Sequence, residues 1–264
     1  MTVIQSILLG ALQGLTEFLP VSSSGHLVVA REIMRIEEIP ILFDVWLHVA
    51  TLAVIIAVFR KRIGAILASL ARLTVRGGRD GDAVNARLAG VIVLATVCTV
   101  VVGLAVDRLS VNEYPKIVSG LFIVTGLILI TVRNRRGTKD YSRIGWREGV
   151  ATGVAQGFGV FPGISRAGIT ISASLAVGLE RERAGEYAFL MSIPAVVGAL
   201  LFTLKDSGEL MQNVGIPALV AGCATSLVVG LASLLLLLRL VKGGKLYVFS
   251  FYLIPLGVAG LIWL

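Results

Sequence analysis

Two stretches decide how this chain is read: Gly10-Ala11-Leu12-Gln13-Gly14-Leu15-Thr16-Glu17-Phe18-Leu19-Pro20-Val21-Ser22-Ser23-Ser24-Gly25 and Gly153-Val154-Ala155-Gln156-Gly157-Phe158-Gly159-Val160-Phe161-Pro162-Gly163-Ile164-Ser165-Arg166-Ala167-Gly168. Laid over one another at a shift of 143 residues, they agree at Gly10, Gln13, Gly14, Phe18, Ser22 and Gly25, six identities in 16 positions without a gap. That exceeds chance in a Gly- and Ser-rich chain, so the sequence reads as a duplication with halves of about 1–132 and 133–264 forming one membrane domain. Both stretches are apolar yet interrupted, by Pro20 and Pro162 with Gly and Ser around them. Proline lacks a donor and clashes with the preceding turn, so 3–30 and 149–179 are each expected to fold as helix, break, helix.

The rest of the chain sets these stretches in a bilayer. Of 264 residues, 56% are hydrophobic and only 15% charged, with mean hydropathy +0.90, whereas a soluble domain carries about a quarter charged residues. Unbroken apolar runs at 41–59, 88–106, 115–132, 186–204, 215–238 and 246–264 suit helices crossing a hydrocarbon core of roughly 30 Å, because helices satisfy their own backbone in lipid. A net charge of +8 does not point to nucleic acid, since the basic residues sit in short loops between apolar runs. A cleaved signal peptide is not expected, as no Lys or Arg precedes Arg31. Cys98 and Cys223 lie inside apolar runs and read as packing or lipid-facing residues.

Loop charge orients the spans. Residues 60–87 hold Arg60, Lys61, Arg62, Arg72, Arg76, Arg79 and Arg87 against Asp80 and Asp82, and 133–148 and 239–245 are also basic. The loops at 31–44, 107–114 and 205–214 are not. Cytoplasmic loops carry the Lys and Arg excess. The three basic loops alternate correctly if six spans cross, both termini lie outside, and the two broken stretches enter and return. Gly77 to Asp82 reads as a flexible loop without a function. The expected fold is therefore all-α and integral to the membrane, with six transmembrane helices and two re-entrant hairpins in an inverted repeat. In such repeats broken helices meet near the midplane with half-helix N-termini facing an anion.

Ionisable residues at membrane depth usually mark function. Within apolar runs these are Glu17, His26, His48 and Arg166, three of them in the broken stretches. Ser22, Ser23, Ser24 and Gly25 offer hydroxyls and close backbone approach at a helix start, and Gly163, Ser165 and Gly168 offer the same beside a guanidinium. Helix N-termini and Arg both suit phosphate. Glu17 suits an anion only if a hard cation such as Mg²⁺ or Ca²⁺ bridges them. Structural readings stand beside these: the serines as helix caps, Arg166 as partner to Glu17, and His26 as a packing residue. Gln13 and Gln156 read equally well as bonds across the repeat interface, and His48, among apolar neighbours, as structural.

The segment Gln13-Gly14-Leu15-Thr16-Glu17-Phe18-Leu19-Pro20-Val21-Ser22-Ser23-Ser24-Gly25-His26 resembles the first signature of undecaprenyl pyrophosphate phosphatases. Pro162-Gly163-Ile164-Ser165-Arg166-Ala167-Gly168-Ile169-Thr170 is similar to the second, and length, span order and duplication agree throughout. The resemblance implies removal of the terminal phosphate of a polyprenyl diphosphate, in the plasma membrane, at a site opening toward the outer face. It implies Glu17 as the essential acid, Gln13 at a position that is Glu or Gln, Ser23 and His26 as catalytic, and Ser165, Arg166 and Thr170 on the diphosphate. The second signature usually reads Ser-Arg-Ser-Gly; Ala167 here removes one hydroxyl.

On this reading the diphosphate docks on Arg166 and the two helix N-termini, with a divalent cation bridging to Glu17. Ser23, activated by His26 three residues on, is the favoured nucleophile, with His26 itself or a water as alternatives. The bilayer and the lipid diphosphate are the expected partners, and a homodimer is compatible with the sequence but not required by it. The rival class is a lipid-phosphate flippase or transporter, which uses the same architecture.

Overall fold

The two prolines do what their chemistry dictates. In the computed structural model, which describes residues 1–34, 41–75, 78–109, 114–205 and 215–263, α1 (Val3–Phe18) and α2 (Ser23–Met34) flank Pro20, while α6 (Trp146–Phe158) and α7 (Arg166–Ala176) flank Pro162. Both stretches thus form helix, break, helix. The remaining helices are α3 (Ile41–Val75), α4 (Asp82–Asp107), α5 (Pro115–Thr131), α8 (Arg181–Lys205), α9 (Ile216–Lys242) and α10 (Ser250–Trp263), the last preceded by a 3₁₀ turn at Leu246–Phe249. No strand occurs among the described residues beyond one isolated bridge between Lys139 and Leu179. The expected loops at 107–114 and 205–214, and part of 31–44, fall largely outside the described residues.

Five helical stretches have the length and apolarity to cross a membrane: Phe43–Val75, Asp82–Asp107, Arg181–Leu201, Ile216–Lys242 and Leu246–Trp263. The expected sixth span, α5, has 17 residues and rises about 26 Å, a little less than the hydrocarbon core. A second difference concerns 60–75, expected as loop, where α3 stays helical to Val75. Ile66 and Ser69 are buried there and Ile63 and Leu70 pack on the core, so an apolar stripe at helical spacing outweighs the basic residues between. Of the expected loop from Gly77 to Asp82, Gly77 lies outside the described residues; residues 78–82 close on Asp82, whose carboxylate accepts from Ser69 Oγ (2.6 Å), Arg72 Nε (2.9 Å) and Arg79 N (2.8 Å). Within the second half, buried Tyr141 donates to Glu186 Oε1 at 3.0 Å. Burial first, and then the Glu186 charge, pushes its hydroxyl pKa well above the usual phenol range.

Helix packing follows small residues. Along α1, a methyl group on Gly10 would lie 2.2 Å from Gly222 O, and one on Gly14 2.6 Å from Ser226 O, so α1 and α9 touch backbone to backbone. The second stretch repeats this: Gly153 and Gly157 of α6 press on Ala95, Cys98, Val102 and Gly103 of α4. Lipid tails are as apolar as leucine, so helices in a bilayer associate through close packing at such residues. Cys98 meets Gly153 and Cys223 packs beside Leu9 and Phe43, both as free thiols, in keeping with a packing role. α5 pairs with α10, where Ser250 Oγ donates to Gly126 O at 2.7 Å.

Gly14→Val is therefore expected to cost roughly 1–3 kcal/mol or more, the range for overpacking, because rigid backbone leaves no room to adjust. A methyl on Gly120 of α5 meets nothing within 4 Å, so Gly120→Ala is the matched control. Thermal unfolding in detergent should separate the two variants, and equal midpoints would refute the packing account.

Candidate active site

The two breaks meet. Ser22, at the end of the first break, takes a left-handed backbone conformation (φ 71°), the only non-glycine residue with positive φ among those described. Its Oγ accepts from Gly163 N (3.0 Å) in the second break and from Gly25 N (3.4 Å) in its own helix. Gly163 also needs positive φ (95°), and a methyl there would lie 2.4 Å from Val118 O. Thr125 of α5 fixes the second break, donating to Gly163 O (2.8 Å) and accepting from Ser165 N (3.2 Å). Ser165 caps α7 by accepting from Gly168 N at 3.0 Å. Missing side chains let these parts close up: a methyl on Gly25 would strike Phe122 at 2.6 Å, and one on Gly168 would come 3.1 Å from Pro20 Cβ.

Glu17, in the last turn of α1, is the centre. Its Oε1 accepts from the Arg166 guanidinium, and its Oε2 from Ser23 Oγ (2.8 Å) and Gln13 Nε2 (3.2 Å). His48 Nε2 stands 3.8 Å from the same oxygen. The 143-residue shift that aligns the two stretches sets Ser23 against Arg166. One repeat position thus supplies a hydroxyl in one half and a guanidinium in the other, and both rest on Glu17. Gln156, the counterpart of Gln13, instead donates to Thr99 Oγ1 at 3.1 Å on α4, bonding between helices as one sequence reading allowed.

A cavity of about 190 Å³ opens on this cluster, lined among others by Glu17, Ser22, Ser23, Ser24, His48 and Arg166. Ser23 and Ser24 begin α2, and Arg166 and Ala167 begin α7, where amides lack intrahelical acceptors and the helix dipole favours an anion. The cavity therefore joins a carboxylate, a guanidinium, a hydroxyl and two helix N-termini.

Other expected ligands are placed differently. The Ser22 and Ser165 hydroxyls serve backbone amides, and Thr170 Oγ1 donates within its helix to Arg166 O at 2.7 Å. His26 does not bond Ser23: its Nδ1 meets Ser22 O (2.8 Å) and its Nε2 meets Tyr252 OH (2.7 Å). The sequence spacing gave Ser23 a histidine partner, whereas the fold gives it Glu17. Ala167 borders a smaller neighbouring space with Glu17 and Thr170. His48, read as structural, lines the main cavity; its signal was the one that selected Glu17, a titratable group in an apolar run. Thr125 and Tyr252 carried no sequence signal.

A divalent cation can be tested against the donors. No group of three or more His, Cys, Asp or Glu suited to a metal occurs among the described residues. Gln13 Oε1, buried beside Glu17, has no hydrogen-bond partner. One carboxylate with one spare amide oxygen fits a hard cation that draws its other ligands from substrate phosphate and water.

A bundle of apolar helices, five of them long enough to cross a bilayer, around a polar cluster defines a multi-pass membrane protein. Residues 6–259 match the family described as bacitracin resistance protein BacA, and the chain belongs to that family. It is 44% identical to the undecaprenyl-diphosphatase of Treponema denticola, over 98% of this chain and 96% of that protein. It is 40% identical to that of Desulfosudis oleivorans, with 96% of each chain covered. The undecaprenyl-diphosphatase of Methanosphaera stadtmanae is 35% identical, over 98% of this chain and 97% of its own length.

Proposed function

We propose that this protein is a polyprenyl diphosphate phosphatase that removes the terminal phosphate of undecaprenyl diphosphate and leaves the lipid monophosphate. The observation that carries this is the Glu17 carboxylate held between the Ser23 hydroxyl and the Arg166 guanidinium, at a cavity bordered by two helix N-termini. The relatives' names agree with it. Transport, the rival reading, gains no support from either.

In the proposed reaction Arg166 exchanges the Glu17 carboxylate for oxygens of the diphosphate, which also meet the opening amides of α2 and α7. Ser23 Oγ attacks the terminal phosphorus while its proton passes to Glu17 Oε2, the acceptor already in place at 2.8 Å. The bond from phosphorus to the bridging oxygen breaks and the lipid monophosphate leaves. Water then hydrolyses the phosphoserine, releasing phosphate and restoring the Ser23 hydroxyl. Glu17 with Gln13 Oε1 would hold Mg²⁺ or Ca²⁺, which supplies positive charge against the phosphoryl oxygens.

Loop charge and the repeat support six spans, two re-entrant hairpins and inverted halves, with α5 as the short span. The same charges favour both termini outside; the resemblance to the family implies a site open to the outer face of the plasma membrane, the prenyl tail lying in lipid between helices. The packing pairs support a two-fold relation between the halves: α1 lies on α9 as α6 lies on α4, and α5 pairs with its counterpart α10.

Phosphate release from a long-chain prenyl diphosphate by detergent-purified protein tests the reaction and the cation together. EDTA should reduce release to background and Mg²⁺ or Ca²⁺ should restore it. Release undiminished by EDTA would remove the cation from this account, and no release under any condition would remove the phosphatase.

A further inference from the structure

His26 is boxed from three sides. Its imidazole stacks on Tyr252 of α10 (centroids 5.7 Å apart, planes at 21°) and takes the edge of Phe122 from α5 (5.3 Å, 71°). Phe122 reaches this position only because Gly25 has no side chain. The ring nitrogens have unlike partners. Ser22 O only accepts, so Nδ1 at 2.8 Å carries the hydrogen. In the neutral ring Nε2 is then the acceptor, and Tyr252 OH at 2.7 Å donates to it. Tyr252 itself is held by the anchoring of α10 on α5 through Ser250 and Gly126.

These bonds form a chain that ends in the proposed phosphate cradle. Tyr252 fixes His26, His26 holds the Ser22 carbonyl, and Ser22 Oγ receives the Gly163 amide of the second hairpin at 3.0 Å. The left-handed Ser22 (φ 71°) is disfavoured for a residue with a Cβ, so it persists only where neighbours over-determine it. The His26 bond to Ser22 O is one such constraint. The basic nitrogen of His26 points to Tyr252, while the Ser23 proton points to Glu17.

We infer that Tyr252 and His26 are positioning residues that act through Ser22 to hold the two hairpins in register, and that His26 is not the base for Ser23. The activity readout of this inference rests on the proposed phosphatase reaction; its spectroscopic readout does not.

The chain has two histidines, so imidazole ¹⁵N spectra of the full protein in detergent are simple, and His26→Asn identifies the His26 signals by their loss. Wild type should show His26 as the Nδ1–H tautomer. Tyr252→Phe keeps the ring and should shift the Nε2 resonance while leaving His48 in place. Its kcat should fall about fivefold, the scale of one lost hydrogen bond, with KM unchanged. His26→Asn sets an amide nitrogen where Nδ1 lay and should retain turnover well above His26→Ala, in which a slack cradle costs on the order of 100-fold. An unmoved Nε2 signal or an undiminished kcat in Tyr252→Phe overturns the inference, as does His26→Asn no more active than His26→Ala. If wild-type protein releases no phosphate, the reaction fails, and the tautomer spectra still decide whether Tyr252 positions His26.

Discussion

Arg166→Lys should lower kcat/KM for the prenyl diphosphate about 100- to 1,000-fold, the range for removing one preorganised donor from a charge-stabilising site. Lysine keeps the charge but loses the planar fork that binds phosphate oxygens in pairs. Arg166→Ala should fall further, to background. Neither change should unfold the protein, because α7 begins on backbone contacts to Ser165 and Thr125 that do not involve the guanidinium. The cost to Glu17, left without its main counter-charge, is limited because a buried carboxylate can take up a proton. Steady-state phosphate release checks the rate, and size-exclusion elution in detergent checks the fold. Arg166→Lys within a few-fold of wild type would show that the site needs only charge there.

Ser23→Ala should abolish turnover, a loss of about 1,000-fold or more if the hydroxyl is the nucleophile. The stronger test is the intermediate. Acid quench of wild-type protein with terminally labelled substrate should trap label on the chain, and Ser23→Ala should trap none. Glu17→Gln should also trap none, since the amide cannot receive the Ser23 proton. A Ser23→Ala protein that keeps a tenth of the activity would assign the attack to water, with Glu17 as its base.

Much of this arrangement is legible in the sequence. The prolines announce both breaks, because a missing N–H and a ring clash act on the residues next to them in sequence. Gly10, Gly14, Gly153 and Gly157 mark the repeat in the sequence, and the structure adds that they are where the helices touch, because only small residues allow such approach. Glu17 and Arg166 declare themselves as charges in apolar runs. What sequence spacing could not supply was direction across the fold. Ser23 and His26 lie three apart and share a helix face, yet one turns to Glu17 on α1 and the other to Tyr252 on α10. Thr125 and Tyr252 are unremarkable within their own helices and gain meaning only from what packs against them. The helical extension of α3 to Val75 was hidden for a related reason: its arginines carry the topology signal, while the stripe of Ile63, Ile66 and Leu70 between them carries the packing.

One site, built on Glu17, Ser23 and Arg166, is proposed to cleave a lipid diphosphate. Phosphorus NMR of undecaprenyl diphosphate in vesicles containing the purified protein tests it most directly. The two diphosphate resonances should give way to lipid monophosphate and inorganic phosphate in equal amounts, and should persist when Arg166→Ala protein is used. A diphosphate that stays intact beside folded wild-type protein would contradict the claim.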